Sequence, residues 1–300
     1  MITKNFDVII IGGSYAGLSA ALSLGRAIRK VLVIDSGKPC NRHTPHSHNF
    51  LTQDGKTPAA IAELGKEQVL HYPTVQFMDT QVTAVKREKE QFLVSTSFHH
   101  DLTAKKLLFA TGVKDLMPNI ESFDDCWGIS AIHCPYCHGY EYKGQKTGLL
   151  ANGDIAFEFS HLLHNWTDQL TIFTNGPSSI TSAQADQLAL KDIFIVEKKI
   201  RKFQHLKGYI QSLSFNDGST FQLDAIYAKL PFEQHCLIPE HLGCEINEQG
   251  YIQIDEFQRT SVPGIYAAGD NTTSMRSVAS AVAAGTKAGA FINHDLISGK

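Results

Sequence analysis

Cys134 and Cys137 stand near the middle of this 300-residue sequence with two residues between them, and His138 follows directly. Two cysteines at this spacing can close a reversible disulfide or supply thiolates to a metal site. When a histidine comes next, the same pattern is also the attachment signature of c-type haem. The choice among these three chemistries depends on the elements that position the cysteines.

The composition is that of a globular enzyme and restricts its partners. With 27 basic and 30 acidic residues the net charge is −3, which gives no electrostatic reason to expect nucleic acid or a membrane surface as a partner. No apolar run approaches the roughly 20 residues that span a bilayer. The sequence opens without a basic segment followed by an apolar stretch, so we expect no export signal and a cytoplasmic location. In that compartment the cysteine pair indicates redox or metal chemistry.

The beginning of the sequence predicts a strand, a glycine-rich turn, a helix and a second strand. Residues 6–11 are an apolar run interrupted only at Asp7, which is typical of a strand buried on both faces of a parallel sheet. Residues 31–34 are a second such run, and Asp35 follows them. The turn between the first strand and the helix carries the small residues of a dinucleotide-binding pattern: Gly12, Gly13, Ser14 and Gly17. An ordinary tight turn is the alternative, but a carboxylate after the second strand is suited to bind ribose hydroxyls.

A second series of strand, turn, helix and strand begins near residue 147, and the final segment returns to the first pattern. We therefore predict an α/β fold with two Rossmann-like (βαβ) nucleotide-binding domains, the second inserted into the discontinuous first one. A chain of 300 residues is also long for a single core. The predicted limits are 1–113 and 243–300 for the discontinuous domain and 116–240 for the inserted domain, which carries the cysteine pair.

Two further segments each predict a strand that ends in a glycine turn: LFATG at 108–112 and YAAGD at 266–270. With these segments and the cysteine pair, the sequence resembles the low-molecular-weight thioredoxin reductase family of flavoproteins over nearly its full length. The resemblance implies a homodimer with FAD in the discontinuous domain. The FAD contacts that it implies are Gly12, Gly13, Ser14, Gly17, Asp35, Ser36, Arg42, Val82, Ala110, Thr111, Gly112, Gly269, Asp270, Val278 and Ala279.

The same resemblance implies that the cysteines form a redox-active disulfide. Cys137 would exchange electrons with the flavin, and Cys134 would be the thiol that meets the substrate. A helix that starts at such a pair also stabilises a thiolate through its N-terminal N–H groups. The family usually has an aspartate after the second cysteine, whereas this sequence has His138, which we expect to titrate near neutral pH as a general acid and base. The stretch CPYCHGYE at 134–141 resembles the dithiol oxidase branch, which closes disulfides in natural products of the gliotoxin and holomycin type.

Zinc and haem are the competing interpretations of the cysteine pair. Zinc could recruit Cys126, His133 or His138, although a structural site normally needs two well-spaced pairs of ligands. Haem attachment requires an exported or dedicated compartment. A purely structural pair is disfavoured because Pro135 and the resemblance favour an exposed turn. The redox disulfide is the preferred interpretation, and the cysteines without partner spacing are interpreted as structural: Cys40, Cys126, Cys236 and Cys244.

The inserted domain departs from the reductase pattern where NADPH should bind. Reductases of the family have a second glycine-rich turn there and a basic cluster for the 2′-phosphate, but this sequence has ANGDIA at 151–156. No arginine or lysine occurs between Lys146 and Lys191, so a phosphate dianion has no local partner. The late strand IYAKLP at 226–231 also lacks the glycine expected after it. We predict that this domain has lost pyridine nucleotide binding; a diverged NADPH site, or NADH in its place, is the alternative.

A histidine-rich loop follows the second strand and contains His43, His46 and His48. Loop histidines commonly face solvent, but in related proteins this segment passes the flavin, so His46 or His48 could lie near the dithiol. The sequence therefore predicts a FAD-dependent thiol-disulfide oxidoreductase that acts on a small dithiol or disulfide or a thioredoxin-like protein. Oxygen or a ferredoxin would be its electron partner. An NAD(P)H-dependent thioredoxin reductase and a flavin redox sensor without turnover are the alternatives.

Overall fold

The computed structural model of the chain describes residues 4–98 and 102–299. The expectation that the sequence carries no export signal depends partly on residues 1–3, which lie outside the described residues. The chain forms two compact units: the first comprises Met1–Arg42, Phe50–Lys114 and Phe232–Lys300, and the second comprises His43–Asn49 and Asp115–Pro231. Within the described ranges, no helix combines the length and apolar content needed to cross a membrane.

Secondary structure alternates between strands and helices in both units. The elements up to residue 115 are β1 (Asn5–Ile11), α1 (Tyr15–Arg26), β2 (Val31–Asp35), α2 (Pro58–Leu70), β3 (Val75–Asp79), β4 (Val82–Glu88), β5 (Gln91–Thr96), β6 (Leu102–Phe109) and β7 (Val113–Asp115). The second unit then contributes α3 (Phe123–Cys126), β8 (Ala131–Ile132), α4 (Pro135–His138), β9 (Thr147–Leu150), α5 (Gly153–Leu163), β10 (Leu170–Phe173), α6 (Ser182–Ala189), β11 (Phe194–Val196), β12 (Ile200–Leu206), β13 (Tyr209–Phe215), β14 (Thr220–Gln222) and β15 (Ala225–Ala228). The chain ends with β16 (Phe232–Gln234), α7 (Ile238–His241), β17 (Ile265–Ala267) and α8 (Val278–Ser298).

The first unit is built on one sheet in the order β3-β2-β1-β6-β5-β4, with β17 paired to β6. Strands β1, β2, β3, β6 and β17 are parallel, whereas β4 and β5 join the sheet antiparallel. Alternate residues of β1 enter two different cores: Val8 and Ile10 pack on the face covered by α1 and α8, and Ile9 and Ile11 pack on the opposite face. Burial on both faces explains why residues 8–11 are all apolar.

The second unit is built on a parallel sheet in the order β11-β10-β9-β15-β8 and a separate antiparallel sheet in the order β12-β13-β14. Helix α5 begins at Gly153, where the Asn152 side chain caps it. The short strand β8 is the edge strand next to β15, and it leads directly into the cysteine pair.

The division between the units differs from the predicted domain limits in two segments. Residues 238–254 belong to the first unit because Ile238, Leu242 and Ile252 pack into the core below its sheet, so the second unit ends at Pro231 rather than at 240. The histidine-rich loop, His43–Asn49, belongs to the second unit. As functional domains, the ranges 1–113, 116–240 and 243–300 stay a prediction.

Candidate functional site

The turn after β1 requires glycine at two positions because backbone carbonyl groups lie where a Cβ atom would stand. Gly12 has a φ of +104°, and a Cβ atom on it would lie 2.2 Å from the carbonyl oxygen of Ala110. A Cβ atom on Gly17 would lie 1.9 Å from the carbonyl oxygen of Gly12. Ser14 is the N-cap residue of α1, yet its side chain makes no capping hydrogen bond. The N-terminal N–H groups of α1 therefore face a position that no side chain of the turn fills, as an anion site needs.

The remaining residues predicted around the first strand pair lie in different environments. A Cβ atom on Gly13 would lie 2.9 Å from the Cβ atom of Asp35, so this carboxylate lies beside the turn. Ser36 is exposed directly after β2. Arg42 is exposed, and its Nη1 donates to the carbonyl oxygen of Pro39 at 3.1 Å. The Val82 side chain is buried in the core, so only the backbone there is available to a cofactor.

The ends of β6 and β17 meet at the same edge of the sheet as the end of β1. Ala110 N donates to the carbonyl oxygen of Ile11 at 2.8 Å, and Ala268 N donates to the carbonyl oxygen of Phe109 at 3.1 Å. Ligands of doubly wound folds bind at such carboxyl edges. Ala110 is buried there, and Gly112 has a φ of +63°. The hydroxyl of Thr111 is buried and has no hydrogen-bond partner among the described residues.

The turn after β17 leads to the N-terminus of α8. Gly269 has a φ of +97°, and a Cβ atom on it would lie 3.1 Å from that of Ala16. The carboxylate of Asp270 is within 3.7 Å of Arg276 Nε and accepts a hydrogen bond from Cys40 Sγ, also at 3.7 Å. Cys40 is exposed, and its interpretation as a structural cysteine stays a prediction.

Helix α8 begins with Val278 and Ala279 after the N-cap residue Ser277, whose side chain accepts from Ser280 N. The N–H groups of the first helical residues have no acceptor within the helix, so Val278 and Ala279 can donate only to groups outside it. Together with the glycine turn at Gly12 and Gly17 and the buried Thr111 hydroxyl, these N–H donors fit a dinucleotide such as FAD. The individual FAD contacts stay a prediction.

The cysteine pair lies at the start of the four-residue helix α4. Cys134 is its N-cap residue, Pro135 is its first residue, and Tyr136 is 63% exposed between the cysteines. The turn is therefore exposed as predicted at Tyr136, whereas Pro135 is buried. Cys137 Sγ donates to Cys134 Sγ at 2.7 Å. This hydrogen bond, together with the backbone N–H groups of Tyr136 and Cys137, lowers the pKa of Cys134 to about 7 although burial opposes it.

His138 is more deeply buried than a histidine that titrates near neutral pH. Neither ring nitrogen has a hydrogen-bond partner among the described residues. Burial is the main cause that lowers the pKa of His138 to about 4, and the charge of Glu141 partly opposes it. The expectation of a near-neutral pKa was wrong, because loss of hydration penalises the charged imidazolium. The ring is neutral at pH 7 and can accept a proton at one nitrogen.

The histidine-rich loop reaches the cysteine segment through His48. Its Nε2 lies 3.5 Å from Glu141 Oε1, and its charge is among the causes that lower the pKa of His138. The ring of His46 lies 6.4 Å from that of His48, and His43 packs beside Gly128. Of these loop histidines, His48 is the one that acts on the site. Glu141 was not predicted as a site residue, although it lies within the cysteine stretch, three positions after His138 in the turn that follows α4.

The turn after β9 is closed by its own side chains. Asn152 Oδ1 accepts from Gly153 N and from Ser179 N, both at 2.8 Å, and Asn152 Nδ2 donates to the carbonyl oxygen of Pro177 at 2.9 Å. Asp154 stands in the first turn of α5 and accepts from Gln184 Nε2 at 2.8 Å. The N–H group of Gly153, at the N-terminus of α5, is therefore already occupied, and the Asp154 carboxylate adds negative charge there. These residues do not fit a pyridine nucleotide in the usual position.

The other thiols are placed less favourably for chemistry or metal binding. Cys126 is buried, and burial raises its pKa to about 12, which disfavours the thiolate that zinc needs. Burial also raises the pKa of Cys236 and of Cys244. In the described part of the chain, no group of three or more His, Cys, Asp and Glu side chains has the spacing to hold a metal ion.

Comparisons with known proteins agree with this arrangement. The family described as pyridine nucleotide-disulphide oxidoreductase matches residues 6–285. Thioredoxin reductase tcpT of Claviceps purpurea (strain 20.1) is 30% identical over 310 residues, covering 99% of this chain and 97% of that protein. The solved structure of an oxidoreductase from Agrobacterium tumefaciens is 36% identical, with a TM-score of 0.92 over 99% of this chain and 100% of that one. The structure of HlmI is 30% identical, with a TM-score of 0.93 over 99% of this chain and 94% of that one.

These likenesses extend over nearly the whole chain and confirm two predictions. The predicted α/β fold class is confirmed by the two solved structures. The resemblance to low-molecular-weight thioredoxin reductases, and within them to the branch indicated by the stretch at 134–141, is confirmed by tcpT and HlmI.

Proposed function

Because the chain belongs to the pyridine nucleotide-disulphide oxidoreductase family, we propose that it is a FAD-dependent dithiol-disulfide oxidoreductase that NADPH does not drive. Membership makes the chain an oxidoreductase and implies FAD. The choice of electron donor is the step beyond the family. It is supported chiefly by the Asn152 side chain, which uses the donors of the second nucleotide turn.

The first unit would hold FAD along the carboxyl edge of its sheet. The pyrophosphate would meet the N-terminus of α1 above Gly12 and Ser14, and Asp35 would accept hydrogen bonds from the ribose. Thr111, Asp270 and the N-terminal N–H groups of α8 would bind the flavin end. Bound FAD supplies an acceptor for the two electrons of a dithiol.

The dithiol of the second unit would carry out the exchange with the substrate. In the oxidised enzyme, a substrate thiolate attacks Sγ of Cys134, the bond between Cys134 and Cys137 breaks, and Cys137 leaves as a thiolate. A second substrate thiolate then attacks the substrate sulfur of this mixed disulfide, and Cys134 leaves as a thiolate. The substrate has lost two electrons and two protons, and the cysteines have gained the two electrons. Once the Cys137 thiolate has taken up a proton, its thiol can donate to Cys134 Sγ, and a pKa of about 7 then makes Cys134 a good leaving group in this second step.

His138 would take a substrate proton in these steps. Its neutral ring can accept a proton from an incoming thiol, and burial then makes the imidazolium a strong acid that passes the proton on. Glu141 stabilises the protonated ring of His138 and His48 destabilises it, so these two side chains together set how readily the ring releases the proton.

An NAD(P)H-dependent thioredoxin reductase is the second candidate, because relatives such as tcpT carry that name. By this candidate the electrons would run from a nicotinamide to a protein disulfide. By our proposal they run from a small dithiol or a thioredoxin-like protein, and oxygen or a ferredoxin accepts them. The resemblance further implies a homodimer, and we propose the cytoplasm as its location.

Anaerobic mixing of the FAD-loaded protein with NADPH, NADH and dithiothreitol in turn distinguishes these functions. We expect dithiothreitol to bleach the flavin absorbance and NADPH to leave it unchanged over the same time. Cys134→Ser and Cys137→Ser are the controls, and each should abolish bleaching by dithiothreitol. Rapid bleaching by NADPH would establish the reductase instead. Equal bleaching by dithiothreitol in both serine variants would exclude the cysteines as the redox pair.

A further inference from the structure

Tyr227 carries a polar group with no evident use in the core of the second unit. Its side chain is 2% exposed, and its hydroxyl has no hydrogen-bond partner among the described residues. The ring packs edge-on against Phe159, with 6.2 Å between the ring centroids. Buried tyrosine hydroxyls usually have a partner, because burying one without a hydrogen bond is unfavourable.

The half-buried Tyr142 of the same core shows the ordinary arrangement. Tyr142 Oη donates to the carbonyl oxygen of Ile129 at 2.9 Å, which satisfies it within the fold. Tyr227 has no such acceptor from the backbone around it. Among the described residues, the Tyr227 hydroxyl therefore lacks the hydrogen-bond acceptor that a buried hydroxyl usually has.

The strand pairing directs Tyr227 towards the cysteine pair. Tyr227 in β15 is in register with Ile132 in β8, and both side chains lie in the same core cluster. Cys134 follows Ile132 by two residues and has an extended backbone, with φ −121° and ψ 114°. Because Cys134 lies only two residues beyond the residue that pairs with Tyr227, the register places the cysteine next to the end of β15 that carries the phenol.

The charges around the phenol are consistent with this placement. Burial is the main cause that raises the pKa of Tyr227, and the charged groups that add to it are Cys134, Tyr142, Glu141 and Cys137, in that order. Because the pKa is raised, the phenol keeps its proton at neutral pH and can act as a donor.

We propose that Tyr227 is a hydrogen-bond donor to the Cys134 thiolate, and that it acts when Cys134 leaves the mixed disulfide. The inference deepens the proposed function and rests on it. The phenol stabilises the negative charge that develops on Cys134 Sγ as the bond to the substrate sulfur breaks. The phenolic proton stays on oxygen, so no atom or electron moves to or from Tyr227.

The test compares Tyr227→Phe with the unchanged protein and with Tyr142→Phe as the matched control. The full chain is reduced with dithiothreitol, freed of it without oxygen, and labelled with iodoacetamide across pH 5–10, and labelling of Cys134 is followed by peptide mass. A hydrogen bond to a charged group corresponds to a shift of about one pH unit. We expect the titration of Cys134 in Tyr227→Phe to move up by that amount, with labelling at pH 7 reduced about fivefold.

Tyr142→Phe should leave the titration of Cys134 in place, because its hydroxyl is bonded elsewhere. Tyr227→Met, which also lacks the hydroxyl, should repeat the shift. A Tyr227→Phe protein with native circular dichroism and an unchanged titration would overturn the inference. If the unchanged protein forms no reversible disulfide between Cys134 and Cys137, the proposed function fails instead, whatever the tyrosine variants do.

Discussion

Replacing Cys137 tests directly what makes Cys134 reactive. The hydrogen bond from Cys137 Sγ is the largest of the causes that lower the pKa of Cys134 from 9.0 to about 7, and burial of Cys134 opposes it. Cys137→Ala removes the donor and leaves the burial and the backbone N–H groups unchanged. We therefore expect the pKa of Cys134 to return to roughly 9 or above. Two pH units correspond to about 2.7 kcal/mol in the ionisation of this thiol.

The size of the effect follows from the fraction of thiolate. At pH 7 a thiol with a pKa of 7 is half ionised, whereas one with a pKa of 9 is about 1% ionised, so alkylation should slow by roughly 50-fold. Cys137→Ser is the matched control, because its hydroxyl can still donate to Cys134 and should keep the pKa within about one unit of the unchanged protein. The assay is the rate of iodoacetamide labelling of Cys134 against pH, in reduced protein without oxygen.

Two results would refute this reasoning. If Cys134 in Cys137→Ala still titrates near 7, the backbone N–H groups alone stabilise the thiolate. If Cys137→Ser raises the pKa as far as Cys137→Ala does, a donor at this position is not the cause. Either result would also weaken the argument that Cys134 is the better leaving group.

Two further changes test the first unit. The carboxylate of Asp295 is 4% exposed and accepts hydrogen bonds from Arg259 at 2.7 and 2.8 Å and from Tyr266. Asp295→Ala should therefore lower the free energy of unfolding by about 3 kcal/mol, as measured by urea unfolding. The hydrogen bonds from Arg259 hold the pKa of Asp295 well below its usual range, so this contribution is present above about pH 4 and is lost as the pH falls through the folded-state pKa. The unchanged protein should therefore lose stability in acid faster than the variant does. Equal losses in the two proteins would contradict the prediction. Gly17→Ala should give colourless protein on purification, because its Cβ atom would lie 1.9 Å from a backbone oxygen, whereas Gly65→Ala, which meets only the end of a leucine side chain at 3.2 Å, should retain the flavin colour.

Strong local patterns account for the parts of the fold that the sequence predicted. The strands β1 and β2 were predicted to within one residue, and a helix was predicted between them, because a strand buried on both faces is mostly apolar and its turn needs glycine. Strands β12 to β14 were not predicted, since polar residues interrupt the apolar run in each of them. Helix α2 was also missed, although Thr57 and Pro58 are a recognisable helix start.

The site shows the same division between local and long-range information. The cysteine pair and the glycine turns could be predicted because their chemistry lies within a few consecutive residues. The pKa of His138 could not, because it depends on burial by segments distant in sequence, including the loop that carries His48. The position of Tyr227 depends likewise on the pairing of β15 with β8, which brings together residues almost 100 positions apart.

The two nucleotide-type turns show how similar backbones come to have different functions. At the first turn the N-cap residue Ser14 makes no side-chain hydrogen bond and α1 has no acidic residue in its first turn, so its donors remain available to an anion. At the second turn the N-cap residue Asn152 takes the N–H groups of Gly153 and Ser179, and Asp154 follows in α5. A phosphate entering there would have to displace a formed hydrogen-bond set and approach a carboxylate. The inserted unit thus keeps a strand, turn and helix of the nucleotide-binding type while Asn152 occupies the N–H group of Gly153 in its turn, and this is the physical argument for our proposal that the flavin receives its electrons from a dithiol.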